Sequence, residues 1–334
     1  MVAIAGCDVD TPGVQTGMGP PINLLVAGTN IEPNHGYTLD QPIRLAFDRF
    51  LNPYSVTRQS IGLQDLNGNL VTDPLIAYDP VALSISISNP GQGEAWLTAG
   101  QQYQVVLGVP NYEGGGPSGL TAIDGATLAA PITIVFTAAA SAEPPFTGVP
   151  TMQYCRDIQP IFANSCAYSN CHVKPQPDGL GAYDGGQPPL GLDLSTQAGV
   201  RQTALGQVAD ESNTGPRAVS EPWPTAPFGI DLDVIAPSEP GLSWLMYKTL
   251  LAIPVAPDAA IDNSSPGLST YGNGLTSTIS AAERARLSNY ILGQSMPYPT
   301  RAQAEPSMST LSEGDLERLS TWIAEGAPSD PSCP

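Results

Sequence analysis

Ile43-Arg44-Leu45-Ala46-Phe47 and Leu83-Ser84-Ile85-Ser86-Ile87 repeat with a period of two, so every second side chain faces the same side of an extended chain. That period marks half-buried β-strand and sets the fold class of the first half. Outward from these runs, residues 24–26, 61–64, 75–78, 103–107 and 132–136 have the same character, separated by turn residues. Asn67-Gly68 supplies the positive φ of a tight hairpin turn. Seven strands at this spacing predict an all-β sandwich over residues 21–138.

The chain has 334 residues, a length that accommodates two domains at about 150 residues each. Hydrophobic residues make up 41% and charged residues 13%, which argues for real cores and against wholesale disorder. With 34 Gly and 35 Pro, long helices cannot run throughout, so a helical bundle over the whole chain is excluded. Lys and Arg number 12 against 31 Asp and Glu, a net charge of −19 with no basic stripe, so nucleic acid is a poor partner. No run approaches the roughly 18 apolar residues that a spanning helix needs. Residues 139–150, rich in Ala and Pro, read as a linker, and 151–334 as a second domain. In the first half His35 reads as a surface histidine, and the scattered carboxylates Asp40, Asp48, Asp65, Asp73 and Asp79 as a solvated face.

The second half carries the chemistry. Cys166-Ala167-Tyr168-Ser169-Asn170-Cys171-His172 is a C-x4-C-H form of the c-type haem attachment motif C-x-x-C-H. Two thiols at such spacing add to the haem vinyl groups as thioethers, and the adjoining histidine binds iron from one side. The two additional residues would form a longer loop. A sixth iron ligand then has to come from elsewhere. The second histidine lies in the other domain, which leaves methionine, with Met246, Met296 and Met308 as candidates. Met246 lies in an apolar helical run, Gly241-Leu242-Ser243-Trp244-Leu245-Met246-Tyr247-Lys248, where core packing explains it. Met296 follows a helix opened by Ser280-Ala281-Ala282-Glu283, a capping box, and its Pro297 favours extended backbone. A last helix is capped by Ser312 and Asp315, with Leu316, Leu319 and Ile323 on one stripe and Gly326 ending it.

Three resemblances extend this reading. Ile43-Arg44-Leu45-Ala46-Phe47-Asp48, Leu51-Asn52-Pro53, Leu97-Thr98-Ala99-Gly100-Gln101-Gln102-Tyr103 and Ile134-Val135-Phe136-Thr137 resemble the bacterial Ig-like domain of the surface-layer type, which implies a spacer or interaction module. Asp157-Ile158-Gln159-Pro160-Ile161-Phe162, Leu192-Asp193-Leu194, Val234-Ile235-Ala236-Pro237-Ser238-Glu239-Pro240-Gly241-Leu242-Ser243-Trp244-Leu245, Met296-Pro297, Leu311-Ser312-Glu313 and Trp322-Ile323-Ala324-Glu325-Gly326-Ala327 are similar, in order, to the planctomycete-type cytochrome c domain. The resemblance covers 154–327 and implies a mainly α domain with one covalent haem c, His172 as proximal ligand and Met296 as distal ligand. The long spacer from Met296 to Leu311 keeps Met308 as the alternative. Ile4-Ala5-Gly6-Cys7 resembles a bacterial lipobox, which implies an exported chain lipid-anchored at Cys7, in the periplasm or at the cell surface, so that residues 1–20 are a lipobox-like start followed by a tether from Asp8 to Pro20.

In an oxidising compartment Cys155 and Cys333 would pair and staple the two ends of the second domain. Two other readings stay open: a Cys155/Cys166/Cys171/His172 zinc site, and a haem-free surface interaction protein with a Cys166–Cys171 disulfide. No nucleophile elbow, phosphate loop or His-Glu metal motif points to an enzyme. The expectation is an electron carrier whose acidic surface steers it toward a redox partner with a basic docking face, and whose only membrane contact is the anchor.

Overall fold

Alternating apolar residues build eight strands in the first half: β1 (Leu24–Leu25), β2 (Gly36–Thr38), β3 (Ile43–Phe47), β4 (Ile61–Asp65), β5 (Leu75–Asp79), β6 (Ser84–Ser88), β7 (Gln102–Leu107) and β8 (Ile132–Ala139). The structure, a computed structural model, describes residues 19–31, 36–38, 42–71, 73–89, 96–110, 119–139, 152–167, 172, 191–209, 232–252, 279–291, 295–297, 311–331 and 333. Cys7, His35, the linker from residue 140 onward, Cys171 and Met308 lie outside the described residues.

The strands form two four-stranded sheets, β1-β3-β6-β5 and β2-β8-β7-β4. All pairs are antiparallel except β2 with β8, which runs parallel with Gly36 opposite Thr137. Ile43, Leu45, Phe47, Ile85 and Ile87 of one sheet share a core with Ile61, Leu63, Val105, Leu107, Ile134 and Phe136 of the other. Every second residue is thus buried, as the period of two requires. The Asn67-Gly68 turn forms as expected: Gly68 has φ +86°, and the Asp65 carboxylate accepts the amides of Asn67 and Asn69 at 2.8 and 2.9 Å. Those bonds hold Asp65 below the ordinary carboxylate range, the Asn69 side-chain and backbone donors contributing most.

Three details differ from the sequence reading. Asp79 does not lie on a solvated face: it is withdrawn from solvent and accepts from Ser320 Oγ of the helical half at 2.8 Å. β2 has three residues and was not anticipated, because so short an edge shows no periodicity. Leu83 does not continue β6: it sits at φ +47° in the preceding turn, and its side chain joins the core of the second half.

Among the described residues of the second half, helices are joined by irregular segments and isolated bridges such as Leu205 with Ile235. α1 is a continuous helical run made of Tyr154–Ile158, Gln159–Ile161 and Phe162–Cys166; α2 is Gln197–Thr203, α3 Trp244–Leu250, α4 Ala281–Leu287 and α5 Glu313–Ala324. Ser312 and Asp315 complete the expected capping box of α5. Gly326 at φ +92° ends the final helix turn in the conformation that glycine adopts without strain. Leu316, Leu319 and Ile323 are buried together as their spacing dictates. Tyr154, Phe162 and Trp322 form an aromatic cluster with ring centroids 5.8–6.4 Å apart.

Phe50, Leu83 and Ile123 of the first half complete this helical core. At the same junction, Gly241 lies so close to Tyr78 that an added Cβ would stand 2.7 Å from the tyrosine ring. The sheets are therefore packed on the helices. Among the described residues, no helix is long and apolar enough to cross a membrane.

Candidate functional site

Pro160 lies within α1, in the short regular segment Gln159–Ile161, and has no amide to donate to the preceding turn. On both sides of it the turns widen to the π form, closed by bonds such as Ala167 N to Phe162 O at 2.7 Å. The widened helix ends at Cys166, which is buried in the core beside the aromatic cluster. His172 folds back on that end: its amide donates to Cys166 O at 3.1 Å, and its own carbonyl accepts the amide of Leu194 at 2.9 Å. The imidazole is partly buried, with Nδ1 fully enclosed. Thus the backbones of Cys166 and His172 are brought together and fastened to the Leu192-Asp193-Leu194 segment.

That segment is itself well held. Asp193 accepts from the Ser195 amide and hydroxyl at 2.9 and 2.6 Å, and its amide donates to Thr203 Oγ1 on α2 at 2.9 Å. Close by, the hydroxyl of Tyr154 is buried and has no hydrogen-bond partner among the described residues. Burial, and then the charge of Asp193, push its ionisation well above the ordinary tyrosine value, so it remains a neutral donor. An unsatisfied buried hydroxyl is costly and calls for an acceptor.

Met296 is partly buried, and its amide donates to Lys248 O at the end of α3, 3.0 Å away. The backbone bonds that hold Met296 run to α3, whereas those that hold His172 run to Cys166 and Leu194. Met246 is fully buried core, as its apolar context implied, and Met152 packs in the same core. Cys155 and Cys333 are paired as a disulfide with Cα atoms 5.6 Å apart and a sequence separation of 178. The sulfur of Cys155 is thereby unavailable to a Cys3His zinc set.

The N-terminus of α4 forms only half of the expected capping box. The Ser280 hydroxyl accepts the Glu283 amide at 3.1 Å. The Glu283 carboxylate instead crosses to the first half, accepting Phe50 N and Arg49 Nε at 2.9 Å each, and also Arg286 Nη1 at 2.7 Å. Arg49 pairs in addition with Asp124 at 2.5 Å and with Pro20 O. Burial would lower the Arg49 ionisation, but the charges of Glu283 and Asp124 outweigh it and the guanidinium is held charged. Burial would raise Asp124, yet amides of Ala126 and Gly19 together with Arg49 hold it below the ordinary carboxylate range.

No family model matches this chain. No curated protein matches it either. The residues above therefore carry the functional reading by their own chemistry. Sequence reasoning missed Tyr154 and Arg49: a single tyrosine opening a helix and a single arginine between Asp48 and Phe50 show no spacing signal.

Proposed function

We propose that the chain is an exported mono-haem c-type cytochrome that carries electrons between redox partners. The observation that carries this reading is the hydrogen bond that places the His172 backbone against buried Cys166. Cys166 and Cys171 would hold haem c covalently, with His172 as proximal and Met296 as distal iron ligand; Met308 is the alternative distal ligand. The donor set fits the group: a thiol at a helix end, an imidazole on the adjoining turn, and an unsatisfied Tyr154 hydroxyl nearby that suits a polar edge of a porphyrin. When bound, haem supplies a reversible one-electron couple, which His/Met ligation raises relative to many other ligand sets.

The protein's own residues would do the rest. The Leu194 amide fixes the backbone of His172 through its carbonyl, and α3 fixes the backbone of Met296. The aromatic cluster of Tyr154, Phe162 and Trp322 excludes water from one side of Cys166. With iron held on both faces, no position would remain for a substrate, so electron transfer is favoured over catalysis. The eight-stranded first half is read as Ig-like and the second half as cytochrome c-like. Cys7 would be the lipid anchor at a bacterial periplasmic or outer surface. The net charge of −19 suits a redox partner with a basic docking face and a rate that falls as salt screens the attraction. A haem stain on a denaturing gel, with a pyridine haemochrome spectrum, tests the covalent group.

A further inference from the structure

The last turn of α3 leaves backbone carbonyls that the helix itself does not satisfy. Arg284 of α4 fills one such position, donating from Nη1 to Leu250 O, and also donates at 2.7 Å to Ala252 O just beyond the helix. One turn earlier, Lys248 O accepts the amide of Met296. The end of α3 is therefore the joint at which α4 and the Met296 segment meet. The neighbour of Arg284 is Glu283, whose carboxylate is tied to Arg49 and to the Phe50 amide of the sheet half. Arg49, Asp124 and Glu283 have side chains 2%, 3% and 1% exposed, so this tie is shielded from water and salt.

We propose, resting on the cytochrome reading, that Arg49 is a positioning residue for Met296: the buried Arg49–Glu283 pair anchors α4, α4 anchors the end of α3, and that end holds the methionine backbone. The sheet half then sets how firmly the distal ligand is held over haem. It is a brace on the ligand arm as well as an extracytoplasmic module. Each link in the chain is a named hydrogen bond or ion pair, so the coupling has a physical route.

The test uses the full chain, matured with haem and exported, in three variants. Glu283→Gln keeps an oxygen for the Phe50 amide but removes the charge facing Arg49. Arg49→Met removes the cation, and Arg49→Lys retains it. Added imidazole competes with a methionine ligand for ferric iron, and its affinity should rise by about tenfold in Glu283→Gln and Arg49→Met, within the usual range of coupling between sites. Arg49→Lys should recover part of the loss. A second readout needs no haem: in a Cys166→Ala/Cys171→Ala background, the Met296 amide should exchange with solvent about tenfold faster in Glu283→Gln. Amides in β6 report the global stability of the chain, and the Met296 effect is read as the acceleration beyond theirs. Should Arg49→Met fail to fold, Glu283→Gln decides the matter. Unchanged imidazole affinity, with unchanged Met296 exchange, in folded Glu283→Gln would overturn the brace. A parent protein that takes up no haem would instead overturn the cytochrome reading and leave the exchange experiment to judge the joint.

Discussion

Arg49 Nε lies 2.9 Å from Glu283 Oε2, although the two are 234 positions apart in the chain. Glu283 opens α4 with its amide on Ser280, yet spends its carboxylate on the opposite half of the molecule. The pair turns what the sequence presents as a spacer and a separate domain into neighbours with a common buried charge network. Its removal should be felt by both halves.

Breaking a buried ion pair by deleting one partner leaves an uncompensated charge and costs about 3–5 kcal/mol. Arg49→Met should lower the stability of the whole chain by that order, and sheets and helices should unfold in one transition. Chemical denaturation followed by near- and far-ultraviolet circular dichroism checks this. Two separate transitions in the parent protein, with only one shifted by the variant, would show that the halves are independent.

Asp79 lies at the same junction and accepts from Ser320 Oγ at 2.8 Å. Burial raises its ionisation above the ordinary carboxylate range, despite hydrogen bonds from Ser320, Val81 and Ala82 that oppose the shift. Glu317 is raised as well, first by burial and then by the charges of Asp79 and Glu313. A raised carboxylate binds its proton more tightly when folded, so stability falls as pH climbs from the ordinary carboxylate range through the raised value. Asp79→Asn keeps the accepting oxygen and should stabilise the protein at pH 7, with the gain vanishing below the ordinary carboxylate range. Asp124 behaves oppositely: its contribution is present above that range and disappears as pH falls through its lowered value. Melting temperatures over a pH series, for parent and variant, read both trends.

The Cys155–Cys333 bridge closes almost the entire second half. Replacing both residues with serine should cost about 2–5 kcal/mol, since the unfolded chain regains the freedom the bridge denies it. Peptide mapping without reductant should recover the two cysteines in one linked fragment. Both thiols found reactive in native protein would contradict the pairing.

Gly241 touches Tyr78 across the junction, with an added Cβ only 2.7 Å from the ring and 3.0 Å from the tyrosine carbonyl. Gly241→Ala should destabilise by about 1–3 kcal/mol through overpacking. A variant as stable as the parent would mean that the junction yields easily.

The strands were legible because a half-buried sheet imposes a period of two, as in Ile43–Phe47, which coincides with β3 residue for residue. α5 was legible for the analogous reason, its cap at Ser312 and its stripe of leucines falling where expected. What escaped was tertiary. Ser280-Ala281-Ala282-Glu283 has the spacing of a local capping box, and no local rule says that a glutamate will prefer a distant arginine to its own backbone. Leu83 fits the strand period, yet a positive φ turns it toward the other core. At the candidate site the motif identified Cys166 and His172, whereas the Tyr154 hydroxyl became visible only once its burial without a partner was known.

Covalent haem is the central claim, and one gel tests it. The full chain is expressed with export and cytochrome c maturation, denatured, separated and stained for haem, beside a Cys166→Ala/Cys171→Ala variant and a control cytochrome. The expected result is a haem-positive band with a c-type pyridine haemochrome spectrum, lost in the variant. A haem-negative parent band, where the control cytochrome stains, would contradict it.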